Sequence, residues 1–205
     1  MAKTRTAPRK APRQSRSQAT VDALVEAGAR ALALEGYERA NVNRIAELAG
    51  VSVGSLYQYF PSKEALVTAV SRRHSARMIE VFQKDILSLA FVPLHEAVRG
   101  VVLRVFEAYA VDPALRRVLV HEVPHLGALT RSLEFDELVH EWLLAYFAHN
   151  AARIRPVNVD LAVQILRAAV EAVAAAIVVR GEPELLRSSE VVDEVCVLVL
   201  RYVEK

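Results

Sequence analysis

The 205-residue chain holds a single cysteine, Cys196, so no intrachain disulfide can form, and a reducing compartment fits. Only seven glycines and eight prolines punctuate it. They fall between long apolar-periodic segments, which predicts helices with short connections. No strand-period alternation of useful length occurs, and no internal repeat. The longest apolar stretch, residues 168–179, is interrupted by Glu171 and falls short of the about 20 apolar residues that cross a bilayer. It is expected to be a helix buried on most of its faces. The first residues are basic but carry no apolar signal core, so secretion is not expected. A cytoplasmic protein without membrane association is the expectation.

Apolar residues make up 53% of the chain, enough for a packed core. The net charge of +2 is unevenly placed. Residues 1–75 carry twelve Lys/Arg against six Asp/Glu, a net of +6; residues 76–205 carry fourteen against eighteen, a net of −4. A basic front and an acidic back suggest that the front meets a polyanion. The first sixteen residues have no acid and six cations: Lys3, Arg5, Arg9, Lys10, Arg13 and Arg16. With no apolar face this arm is expected to be disordered, either a solubilising tail or an arm lying along DNA.

A helix is predicted over about residues 17–35. Val21, Leu24, Val25, Gly28, Ala31 and Leu32 form one stripe of 3.6-residue period, and Gly36 suits the left-handed position that stops a helix. The next segment is more specific. Asn41 can cap a short helix, with Ile45, Leu48 and Ala49 facing inward. Gly50 ends it, Val51 fills the corner, and Ser52 caps a second short helix whose inward residues are Leu56 and Phe60. Pro61 forbids continuation. Two short helices joined by a tight glycine-containing turn make a helix-turn-helix. Ser62 then caps a long helix expected to reach about Leu89. Lys63 in its first turn is unfavourable to the macrodipole and needs a partner outside the helix; a phosphate would serve. Five more helices are predicted, at about 93–110, 113–121, 128–153, 159–180 and 189–203. Asp112-Pro113 starts the second of these five, Asn158 and Gly181 bound the fourth, and Ser189 caps the last.

Residues Ile45-Ala46, Ala49-Gly50-Val51-Ser52, Gly54, Leu56-Tyr57, Phe60 and Lys63-Glu64-Ala65-Leu66 resemble the DNA-binding signature of the tetracycline-repressor (TetR) family. The likeness covers roughly residues 17–75. Asn41 departs from it, standing where the family often has Ser or Thr. The resemblance implies an all-α, Ω-shaped homodimer: a three-helix DNA-binding domain (17–62) after the arm (1–16), then an effector-binding and dimerisation domain (63–205) with a linking helix over 62–89. It also implies that effector binding moves the linking helix and spreads the DNA-binding heads, and that Lys63 clamps a phosphate.

The second helix of the pair is expected in a major groove. Gln58 could pair with an adenine edge, Ser55 could donate or accept, and Val53 could touch a thymine methyl. Tyr57 and Tyr59 suit phosphates, and Gly54 permits close approach. Asn43, Arg44 and Ser52 complete the candidate DNA set, with Arg44 the main contact from the preceding helix. Tyr57 could instead be half-buried.

His121-Glu122-Val123-Pro124-His125 matches the H-E-x-x-H zinc-protease motif. That chemistry needs a continuous helix, which Pro124 breaks, so the helix is expected to end or kink near Val123. A zinc hydrolase using His121, Glu122 and His125 is thus a remote alternative; the chain is expected to be no enzyme and to need no cofactor or metal. Effector-pocket candidates are Phe106, Tyr109, His121, His125, Trp142, Tyr146, His149, Arg167 and Glu171. Glu171 alternatively pairs with an Arg at the dimer edge, and Trp142 with Tyr146 alternatively pack the core. Ala168, Ala172, Ala175 and Ala176 on one helix and Val191, Val195, Leu198 and Tyr202 on the last suit a four-helix dimer interface. The function expected is a regulator, most simply a repressor released from a palindromic operator by a small, largely hydrophobic effector. An effector-independent activator or global DNA binder of the same fold is the alternative.

Overall fold

The computed structural model describes the backbone of residues 11–123, 133–155 and 158–205. Nine α-helices lie among the described residues: α1 (Ala11–Arg39), α2 (Val42–Ala49), α3 (Val53–Tyr59), α4 (Lys63–Gln83), α5 (Leu94–Tyr109), α6 (Pro113–His121), α7 (Leu133–His149), α8 (Val159–Arg180) and α9 (Ser189–Val203). Two short 3-10 turns, Ile86–Phe91 and Pro183–Arg187, join them. The chain divides into two compact units, residues 1–70 and 71–205. This boundary falls inside α4, rather than before the linking helix as expected.

In the first unit, Leu24, Ala27, Ala31 and Leu32 of α1 are buried with Ile45, Leu56, Leu66 and Val67. Gly28 lets α1 approach α4: a Cβ there would sit 3.2 Å from a Val70 methyl. Helix α1 starts at Ala11, so its helical backbone takes in the last six residues of the expected disordered arm. It also runs past Glu35, across a kink at Gly36 where φ is +78°, before ending at Arg39.

The second unit is built on a core of Met78, Phe82, Phe106, Phe135, Val163, Ala174 and Val195 with their neighbours. Helix α4 is shorter than expected. Asp85 takes a left-handed φ of +58°, which ends the run at Gln83 and starts the turn Ile86–Phe91. Asp112 caps α6 by accepting from Leu115 N at 3.0 Å, with Pro113 at its first position. Helix α7 stops at His149, short of the expected 153, because residues 151–153 turn to bring Ile154 into a backbone bridge with Glu204. Asn158 and the left-handed Gly181 bound α8 as expected. The N-cap of α9 is Ser188, not Ser189, and its side chain makes no capping bond.

Helix α8, at 22 residues, is long and apolar enough to cross a membrane by length and composition, unlike the shorter stretch read from the sequence. Its burial is one-sided, with Ala162, Val163, Leu166, Val170, Ala174, Ile177 and Val178 in the core. That is the pattern of a core helix with a second face uncovered.

Candidate DNA interface and effector cavity

The helix-turn-helix is set by local backbone chemistry. Asn41 Oδ1 accepts from Arg44 N at 3.0 Å. Gly50, at φ +67° and ψ +30°, donates back to the last carbonyls of α2. Ser52 Oγ accepts from Ser55 N at 3.1 Å, and Leu56 is fully buried with Phe60 nearly so. Inward Leu56 turns Gln58 and Tyr57 to solvent, Tyr57 being 49% exposed. Tyr59 and Val53 are half-buried. Asn43 is exposed. At Gly54 a Cβ would meet nothing nearer than Ser52 Oγ at 3.9 Å, so no internal contact demands glycine there.

Four candidate side chains have partners within the protein. The Ser52 and Ser55 hydroxyls lie 2.9 Å apart. Arg44 pairs with Glu35 through Nε and with Glu47 through Nη1, each at 3.0 Å. Lys63 donates to the Tyr37 carbonyl and lies over the Tyr37 ring, 4.0 Å from its centroid. The partner expected for Lys63 outside its helix, for which a phosphate would serve, is thus present within the chain. Burial lowers the Lys63 pKa.

Inside the second unit, α5, α7, α8 and α9 surround a cavity of roughly 630 Å³, counting its opening. Its walls are apolar: Val98 and Val102 from α5, Leu143 from α7, Leu166 and Val170 from α8, Val199 from α9. Four sequence candidates line it: Trp142, Tyr146, Arg167 and Glu171. Trp142 and Tyr146 stack with centroids 5.3 Å apart. Arg167 Nη1 pairs with Glu171 Oε2 at 2.8 Å, one helical turn along α8. Burial, reinforced by Asp136 and opposed by Arg167 and Arg116, pushes the Glu171 pKa up to about 7.

The other pocket candidates lie elsewhere. Phe106 is fully buried in the core. Tyr109 is buried under the Arg116 guanidinium, 3.8 Å from its ring centroid, and burial lifts its pKa to about 12. His149 is exposed, edge-on to Phe91. His121 is exposed at the end of α6. His125 and Pro124 lie outside the described residues. The zinc motif needs its two histidines on one continuous helix, and α6 ends at the first of them, with Val123 already non-helical. The apolar cavity walls gave no signal in the sequence, since core valines look the same.

Along α8, Leu161, Ile165, Ala168, Ala172, Ala176 and Val179 form one exposed stripe. On α9, Val197 and Leu198 are 50% and 55% exposed. Ala175 is half-buried against the core. Val195 faces inward, 6% exposed, and Val191 and Tyr202 pack against the same core, so α9 presents Val197 and Leu198 instead.

Comparison with known proteins places this geometry. Residues 24–70 match the family model described as "Bacterial regulatory proteins, tetR family", and residues 93–202 match "Tetracyclin repressor-like, C-terminal domain". The transcriptional repressor AcnR of Corynebacterium glutamicum is 39% identical over 62 residues, 30% of this chain and 33% of AcnR. The fatty acid metabolism regulator protein of Bacillus subtilis is 28% identical over 123 residues, 60% of each chain. The matches therefore span about a third of the first relative and three-fifths of the second. A TetR-family regulator from Mesorhizobium loti shares the fold, with TM-score 0.74 at 18% identity, covering 93% of this chain and 99% of that one. With both segments matched in order, and the second alone covering more than half of its length, the chain belongs to the TetR family of DNA-binding transcriptional regulators.

Proposed function

We propose that the protein is a dimeric cytoplasmic repressor, released from a palindromic operator when a small, largely hydrophobic molecule fills the cavity between α5, α7, α8 and α9. The observation that carries this reading is the cavity itself. Its walls are apolar, and Tyr146, Arg167 and Glu171 are among the residues that line it. An effector-independent DNA binder has no use for such a space. The names of the relatives agree with the reading: one is a repressor, the other a regulator of fatty acid metabolism.

In this reading α3 enters the major groove, with Gln58 reading a base edge and Val53, Ser55, Tyr57 and Tyr59 flanking it. Asn43 and Lys63 approach phosphates, Gly54 gives close access, and Ser52 supports Ser55. Arg44 acts mainly by tying α2 to α1 through Glu35. The uncovered stripe of α8 and the exposed Val197 and Leu198 of α9 suit pairing with a second copy, because small side chains let helices approach closely. Release requires the effector to bind the DNA-incompetent form more tightly than the competent one, since equal affinity shifts nothing.

Selection of duplexes from a random pool tests the first half. The expected product is a palindrome whose binding weakens steeply with salt. Recovery of asymmetric sites or of no preferred sequence counts against it.

A further inference from the structure

Arg167 and Glu171 use one atom each on one another and leave one each without a partner. Arg167 Nε and Glu171 Oε1 are buried with no hydrogen bond, and so is the Tyr146 hydroxyl. All three side chains line the cavity. Buried polar atoms are normally satisfied, and leaving a donor and an acceptor idle in an apolar space is costly. The cavity is therefore short of one hydrogen-bond acceptor near Arg167 and one donor near Glu171.

Charge narrows the class of ligand further. Apart from Tyr146, the ionisable side chains lining the cavity among the described residues are Arg167 and Glu171, which are opposite in sign and already paired. Asp136 and Arg116, which also act on Glu171, oppose each other in sign. A carboxylate entering here would be stripped of water and set beside Glu171; an alkylammonium would be set beside Arg167. Neither finds a counter-ion without displacing the Arg167–Glu171 pair or protonating Glu171, and desolvation is not fully recovered. A neutral group with an acceptor next to a donor meets both idle atoms without breaking the ion pair.

We infer that the cavity takes an uncharged amphiphile whose head group carries a hydrogen-bond acceptor beside a donor, as a primary carboxamide does, held between Arg167 and Glu171. Its carbonyl oxygen accepts from Arg167 Nε, and its N–H donates to Glu171 Oε1. The apolar body lies along Val98, Val102, Leu166 and Val170, against the stacked Trp142 and Tyr146. The amide serves either protonation state of Glu171, since it can also accept from the protonated acid. The inference rests on the cavity being the effector site.

Trp142 is the sole tryptophan and lines the cavity, so its fluorescence reports occupancy without DNA. The probes are dodecanamide, dodecanoate, dodecylamine and N,N-dimethyldodecanamide, titrated at neutral pH. Dodecanamide should bind saturably, about tenfold more tightly than each of the other three, the scale of one hydrogen bond to a buried polar group. In Glu171→Leu its advantage over the dimethylamide, which has no donor, should fall to about twofold or less. If that variant does not fold, the double variant Arg167→Leu/Glu171→Leu, which removes both charges together, should show the same collapse. Equal or tighter binding of dodecanoate or dodecylamine, equal binding of the dimethylamide to the wild type, or no response to any probe overturns the inference. The two readings fail separately. An amide that binds selectively yet leaves operator affinity unchanged sinks the release mechanism alone. Dodecanoate that binds more tightly and frees the operator sinks the head-group assignment alone.

Discussion

Lys63 lays its ammonium over the ring of Tyr37, 4.0 Å from the centroid, and donates a hydrogen bond to the Tyr37 carbonyl. This ties the first turn of α4 to the end of α1 and offsets a cation placed where the helix dipole disfavours it. Lys63→Ala should therefore lower stability by about 1–2 kcal/mol, from the lost cation–π contact and charged hydrogen bond. It should also weaken binding to all duplexes alike. Urea denaturation and fluorescence anisotropy check both. An unchanged denaturation midpoint would show that the Tyr37 contact contributes nothing.

Gln58 and Arg44 should behave differently. Gln58 is exposed and unencumbered on α3, so Gln58→Ala should relax preference at one symmetric pair of operator positions by about 1–3 kcal/mol while leaving the melting temperature unchanged. Arg44 is held by Glu35 and Glu47. Arg44→Ala should lower the melting temperature with base preference intact. Competition binding against single-position operator variants separates the two; a shifted base preference in Arg44→Ala would make it a reading residue.

The helix-turn-helix was legible because its signals are local. Asn41, Gly50, Ser52 and Pro61 each dictate backbone geometry within a few residues, and the caps stand where the sequence put them. The end of α4 was not legible, since Asp85 adopts its positive φ without a glycine to announce it. Pocket membership was half legible. The lone acid Glu171 among Ala and Val marked the site, but His121 and His149 drew notice only as polar rings, and tertiary packing turned both to solvent. Periodicity could not separate Val195 from Leu198, because a dimer face and a core face have the same period.

Two buried groups titrate in opposed directions. The Glu171 pKa is raised from 4.5 to about 7, so the folded state keeps a proton that the unfolded state has lost. That contribution is full below pH 4.5 and is lost as pH rises through about 7. His74 is the reverse. Burial, with Arg116 and Arg77 nearby, lowers its pKa from 6.5 to about 4, so its contribution is present above pH 6.5 and lost as pH falls through about 4. Glu171→Gln should therefore lose stability on acidification from pH 6.5 more steeply than the wild type, because His74 is left unopposed. His74→Asn should instead lose stability as pH rises from 4.5 towards 7. Chemical denaturation across that range tests the pair; parallel profiles for both variants and the wild type would contradict the assignment.

Ala172 and Leu198 lie on the uncovered faces of α8 and α9. Ala172→Asp with Leu198→Asp should yield a folded monomer by light scattering, with palindrome affinity lowered at least tenfold, since each carboxylate would have to be buried against its own copy. A double variant that remains dimeric at low concentration moves the interface elsewhere.

The central claim is that filling the cavity drives the protein off DNA. The most direct measurement is operator affinity with and without dodecanamide at a concentration that saturates the Trp142 signal, in the wild type and in Ala97→Trp, where a buried wall residue is enlarged into the cavity. The account predicts at least a tenfold loss of affinity in the wild type. In Ala97→Trp, with the space occupied, added dodecanamide should have no effect. Operator affinity that stays the same in the wild type while Trp142 reports a full cavity would contradict it.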